Sequence, residues 1–154
     1  MAGKVEFMTL NAKQRAERSA QIMWDNDNAS PWFGMELSHV DEGQAEMTLT
    51  VTQNHTNGHG ICHGGVTFAL ADSTFAFACN SRNQNTVAQH NMVSYIAPAR
   101  LGDQLTARAT EVSLQGRTGI YDVTVTNQNA VTIAEFRGVS RAIKGQIFDE
   151  TNEA

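Results

Sequence analysis

The segment at residues 64–80 can fold in few ways. Val66, Phe68, Ala69, Leu70, Ala71, Phe75, Ala76, Phe77, Ala78 and Cys79 fall on nearly every side of a 3.6-residue period, which predicts a helix that is apolar all round. Such a helix must be wrapped by other structure. Before Asn80 its polar side chains are Thr67, Asp72, Ser73 and Thr74. The chain has 154 residues, enough for one domain with a real core and short for two. The simplest wrapping within one domain is a single antiparallel sheet curled around the helix.

The flanking sequence supplies that sheet. Residues 9–27 predict an N-terminal helix with Thr9 or Asn11 as cap and a thin apolar face of Ala12, Ala16, Ala20, Ile22 and Met23. Ser30-Pro31 predicts a loop. Residues 33–40 and 44–52 predict two strands joined at Gly43; in the second, Ala45, Met47, Leu49 and Val51 alternate with polar residues. After a loop at 54–60 and the apolar helix, strands are predicted at 87–96, 104–113, 119–126 and 131–143, with turns at Gln115-Gly116-Arg117 and Asn127-Gln128-Asn129. The expected organisation is a helical segment at 1–30, one domain at 31–147 and a polar, frayed tail at 148–154. The expected class is α+β: a curved antiparallel sheet wrapped around a long central helix.

A hydrophobic share of 41% places the chain among globular proteins rather than disordered ones. A net charge of −5 argues against a general nucleic-acid or membrane-surface binder. Cys62 and Cys79 make no disulfide framework and read as free thiols in a reducing compartment. The start, Met-Ala-Gly-Lys-Val-Glu-Phe, has no apolar signal core, and no run of about 20 apolar residues suits a membrane span. A soluble cytoplasmic protein is expected.

Asp72 is the residue of most chemical interest. A carboxylate set in an apolar helix has its pKa raised by desolvation unless donors compensate, which suits a general base or a nucleophile. The alternative is an Asp that hydrogen-bonds a neighbouring strand. His63-Gly64-Gly65 lies where the helix starts, and free N–H groups there would stabilise a developing oxyanion. An ordinary glycine-bearing helix N-terminus is the alternative. Gly64 and Asp72 are eight residues apart, so their backbones are separated by roughly 12 Å along the helix. One carbonyl cannot easily be held by the Gly64 N–H and attacked from Asp72 of the same chain. A catalytic reading therefore predicts a homodimer with shared active sites.

His55, His59 and His63 beside Cys62 look superficially like a metal cluster. Asn57-Gly58 and Gly60 break any continuous face, so no metal is expected. Cys62 as a nucleophile stays open, with no residue evident to orient a base.

Asn57-Gly58-His59, Cys62-His63-Gly64-Gly65, Leu70-Ala71-Asp72, Phe75-Ala76-Phe77-Ala78-Cys79-Asn80-Ser81, Thr118-Gly119-Ile120-Tyr121-Asp122-Val123 and Phe136-Arg137-Gly138 together resemble the hotdog-fold acyl-CoA thioesterases. The nearest likeness is to the group that serves bacterial phenylacetic acid degradation, and it extends over residues 33–147. The resemblance implies a hotdog fold, dimers joined edge to edge and usually paired into homotetramers, and hydrolysis of acyl-CoA, with (hydroxy)phenylacetyl-CoA or a related aryl-acyl-CoA favoured. Coenzyme A would be part of the substrate, and no cofactor is implied. Asp72 would activate water or attack the thioester carbonyl, Gly64 would polarise that carbonyl, and Asn57 would orient substrate or water. His63 and Gly65 would line the site, and His90 falls where relatives carry a small residue near the acid. Arg100 and the Gly116-Arg117-Thr118 turn would follow the coenzyme A. Phe68, Phe75, Phe77, Met92 and Trp32 are candidates for an acyl pocket or for plain core. Two rival readings are a hotdog hydratase or dehydratase, whose usual Gly-Asp-x-Asn-Pro signature is missing here, and a non-catalytic acyl-CoA-binding module.

Overall fold

A computed structural model describes residues 9–152. The first eight residues, read above as a start without a signal, and the last two of the predicted tail lie outside them. Helix α1 (Ala12–Asn26) starts at Asn11, whose side chain accepts from the Gln14 N–H while the Gln14 side chain accepts from the Asn11 N–H. A short α2 (Ala29–Phe33) follows, then β1 (Met35–Asp41), β2 (Gln44–Thr50), α3 (Gly64–Cys79), β3 (Thr86–Tyr95), β4 (Gln104–Gln115), β5 (Thr118–Thr126) and β6 (Thr132–Ala142).

The strands form one six-stranded antiparallel sheet in the order β1-β2-β4-β5-β6-β3. Alternation decides which face meets α3. Ala45, Met47 and Leu49 of β2, Leu105, Ala107 and Ala109 of β4, and Tyr121, Val123 and Val125 of β5 all point inward and are buried. From the helix, Leu70, Phe75 and Phe77 are buried against them. Phe75 meets Tyr121 and Phe136 at ring-centroid distances of 5.6 and 5.9 Å. A glycine makes this approach possible: a Cβ on Gly138 would lie 2.8 Å from the Phe75 ring. This is the expected α+β arrangement, a curved sheet around one long helix.

The two sheet edges differ. On the β1 side, α1 packs beside the strand, the Lys13 ammonium donates to the Val40 carbonyl at 2.8 Å, and Trp24 stacks toward Phe77. On the other side, β3 pairs among the described residues with β6 alone and leaves Val87, Met92, Tyr95 and the following Ile96 exposed. An open ten-residue edge with apolar side chains is a template for pairing with another strand.

Two sequence expectations fail. The predicted loop at Ser30-Pro31 is helix α2, because proline fits a first helical turn and Asp27 caps it: Oδ1 accepts from the Ala29 and Ser30 N–H groups and Oδ2 from the Ser30 hydroxyl. The tail is not frayed over its described part. Phe148 is buried, and the Asn83 side chain donates to its carbonyl and accepts from the Ile147 and Phe148 N–H groups. Glu150 then pairs with Arg15 at 2.6 Å. A polar composition hid these anchors, since they lie in a partner some 65 positions away. No described helix is long and apolar enough to cross a membrane.

Candidate active site

The Gly64 end of α3 is held by a tight loop. The Asn57 side-chain oxygen accepts from the His59 N–H at 2.9 Å and the Ile61 N–H at 3.4 Å, while its backbone pairs with Ile61 and Gly60. The oxygen end of the amide thus shapes the turn, and the nitrogen end is left to donate outward. His63 caps the helix, its Nδ1 accepting from the Gly65 N–H at 2.9 Å. Gly65 is therefore engaged, and Gly64, at the first helical position, has a backbone N–H with no acceptor among the described residues. With the helix dipole behind it, that N–H suits a carbonyl oxygen gaining charge.

Gly64 faces a cleft of about 510 Å³ lined by Asn57, Ile61, Tyr95, Ala97 and Ile133, among others. The Tyr95 hydroxyl donates to the Gly64 carbonyl at 2.8 Å. His63 faces a second cleft, of about 620 Å³, on the other side of the turn, where Trp32 and Phe33 also lie. Of the other aromatic candidates, Phe75 and Phe77 are core, Phe68 packs edge-on against Phe136, and Met92 is exposed on β3.

Asp72 sits two turns further along α3, half-buried. The Asn91 side-chain N–H donates to its Oδ1 at 2.8 Å. Burial pushes the carboxyl above its ordinary range, and the Asn91 amide pulls it partly back. The result is a poorly solvated carboxylate with one neutral donor and, among the described residues, no cation beside it, a good proton acceptor. Sequence reasoning placed His90 near this acid. In the structure a bulge between Ala88 and His90 shifts the register, so Asn91 opposes Gly138 on the inner face and His90 opposes Val139 on the outer face. A bulge leaves no mark in composition or periodicity, which is why Asn91 was missed.

The histidines and thiols have other tasks. His55 accepts from the Thr52 N–H at 3.0 Å, and the Nδ1 of His63 is taken by the helix cap. Burial raises the pKa of the Cys62 thiol and takes that of Cys79 to about 12, so neither is a ready thiolate.

Arg100 and Arg117, both exposed, lie toward opposite ends of α3. Arg100 follows Pro98 and Ala99 of the Gly64 cleft. Gly116 and Arg117 border a small cavity of about 130 Å³ against Cys79, while Thr118 starts β5. The candidate residues therefore form two half-sites: Asn57, Gly64 and Arg100 at one end of the helix, Asp72 and Asn91 toward its middle, with the Gly116–Thr118 turn beyond.

Residues 59–134, which include Gly64, Asp72, Asn91 and Arg100, match the thioesterase superfamily. Over 88% of its length the chain is 43% identical to 97% of the acyl-coenzyme A thioesterase PaaI of Escherichia coli K12. The chain belongs to the thioesterase superfamily. The solved E. coli PaaI protein from the phenylacetic acid degradation operon superposes with a TM-score of 0.87, covering 88% of this chain and 99% of that one at 40% identity. A single-residue variant of the phenylacetic acid degradation protein PaaI of Thermus thermophilus superposes with a TM-score of 0.74, over 76% of this chain and all of that one, at 35% identity. This thioesterase thus has the hotdog fold.

Proposed function

We propose that this thioesterase hydrolyses acyl-coenzyme A to free acid and coenzyme A, with arylacetyl groups such as (hydroxy)phenylacetyl favoured. The observation that carries the reading is Asp72: a half-buried carboxylate whose hydrogen-bond partner among the described residues is a neutral amide, in a chain 43% identical to an acyl-coenzyme A thioesterase. The arylacetyl preference rests on the role named for the E. coli relative in phenylacetic acid degradation.

The distance between the half-sites supports a homodimer. With roughly 12 Å of helix between Gly64 and Asp72, a thioester carbonyl polarised by the partner subunit's Gly64 is attacked from Asp72 of the first subunit. The open β3 edge, with its exposed apolar side chains, is where two sheets join edge to edge, and such dimers pair again into homotetramers. The partner subunit's Asn57 turns its free amide nitrogen toward substrate or water. Arg100 and Arg117, brought together from two subunits, meet the phosphates of coenzyme A, which enters as substrate and not as a resident cofactor. His63 and Gly65 line the site at the helix start. The enzyme works in the cytoplasm.

The test is release of free thiol from a panel of aryl and aliphatic acyl-coenzyme A substrates by wild type and Asp72→Asn. Wild type is expected to turn over arylacetyl substrates fastest. The variant should lose about a thousandfold in kcat or more, since an amide neither takes the proton nor forms an acyl intermediate. Silence of the wild type across the panel, or full activity of the variant, would sink the reading.

A further inference from the structure

The Asn91 side chain has one end in use. Its nitrogen donates to Asp72 Oδ1 at 2.8 Å, and its oxygen is buried with no hydrogen-bond partner among the described residues. The orientation is not free to reverse: only the nitrogen end can donate to a carboxylate. The residue directly opposite Asn91 on β6 is Gly138, which has no side chain to offer the oxygen. Buried acceptors are rarely left unpaired, and an exception calls for an unseen partner. A bulge at the preceding residues aims Asn91, rather than His90, at the acid.

We propose that Asn91 is the second acceptor for the attacking water. This rests on the hydrolase reading above and deepens it. One hydrogen of the water bonds Asn91 Oδ1 and the other bonds the free oxygen of Asp72, which leaves the water's lone pair turned toward the thioester carbon. The water oxygen bonds that carbon as its proton passes to Asp72. The tetrahedral oxyanion, held by the partner subunit's Gly64 N–H, then re-forms the carbonyl. The carbon–sulfur bond breaks with its electron pair on sulfur, and the thiolate takes the proton back from Asp72. Asp72 is then a general base. Direct attack by its carboxylate needs no water in the first step and leaves the Asn91 oxygen without a function.

Few charges complicate the titration of Asp72. Among the described residues, the strands packed on α3 bring Asn91 and no charged side chain to bear on it, and the titratable neighbour that feels its charge is Cys79 on the same helix.

Three measurements test the assignment. Asn91→Leu, with a similar branched shape and no polar atom, should lose about tenfold or more in kcat with KM held within about threefold. The acid limb of its kcat/KM profile should move to higher pH, because the donor that favours the carboxylate is gone. Asn91→Ser, which restores a small acceptor, should recover part of kcat. Independently of whether Asn91→Leu folds, one turnover of the wild type in oxygen-18 water should place the label in the product acid. Label found first in Asp72 overturns the proposal, as does an Asn91→Leu enzyme with wild-type kcat and an unmoved acid limb. In both of those cases thiol release by the wild type and its loss in Asp72→Asn still uphold hydrolysis. A wild type that releases no thiol overturns hydrolysis and the water site together.

Discussion

The Tyr95 hydroxyl donates to the Gly64 carbonyl at 2.8 Å, from the same strand that carries Asn91 to Asp72. Strand β3 therefore touches both half-sites of α3 along one inner face. It is also the open edge of the sheet. Whatever covers that edge bears directly on both.

Gly64→Ala keeps the backbone N–H and tests how much room the oxyanion needs beside it. An added Cβ would lie 2.9 Å from the Tyr95 ring, whose exposed far end can swing away. Loss of the Tyr95 hydrogen bond and gain in helix propensity offset, so the melting free energy should change by no more than about 1 kcal/mol. Thiol release should nevertheless fall about tenfold or more, since the methyl group crowds the oxyanion position. Unchanged kcat with a displaced Tyr95 would show that the oxyanion does not sit beside the Gly64 Cα.

Shared sites predict complementation. Asp72→Asn and Gly64→Ala homodimers are each impaired, but a mixed dimer has one site with Asp72 and Gly64 both intact. Unfolding the two together and refolding them should recover about a quarter of wild-type activity at random pairing. Activity no higher than the sum of the separate variants would show that each site lies within one chain.

Asp72 should cost the fold stability at neutral pH. Its folded-state pKa is raised above the ordinary 3.8 by burial, so ionisation is disfavoured on folding. That destabilisation is absent below the ordinary value and complete above the raised one. Asp72→Asn should therefore melt higher than wild type at pH 7, with the gap closing as pH falls toward 4. Melting curves at several pH values check it, and a gap that widens on acidification would contradict the raised value.

Asn83 ties the tail to the domain. It is buried, has a left-handed backbone with φ of 58°, and makes three hydrogen bonds with the backbone of Ile147 and Phe148. Asn83→Ala should cost about 2–4 kcal/mol in urea unfolding, from those bonds and the strained φ. Asn83→Gly should recover about 1 kcal/mol of that, because glycine tolerates positive φ. Equal losses in the two variants would mean the backbone contributes nothing.

Much of this architecture is legible in local sequence. Alternation in Ala45–Leu49, the apolar circuit of Val66–Cys79 and the turn residues at Gly43 and Gly116 predict the strands and the wrapped helix, because each depends on side chains only a few positions apart. The α2 helix escaped because Ser30-Pro31 has the same local pattern in a loop and in a first helical turn, and a side chain before it, Asp27, decides between them.

The sequence by itself determined that a polarising helix start and a desolvated acid lie eight residues apart on one apolar helix, and hence that one chain cannot easily bring both to one carbonyl. Tertiary structure alone decided what meets the acid. A single extra residue at the bulge exchanges the two faces of β3, turning Asn91 in and His90 out. The reason is physical: strand faces alternate with a period of two, so one inserted residue reverses every side chain beyond it. The bulge itself is a property of the pairing with β6, not of any residue within β3.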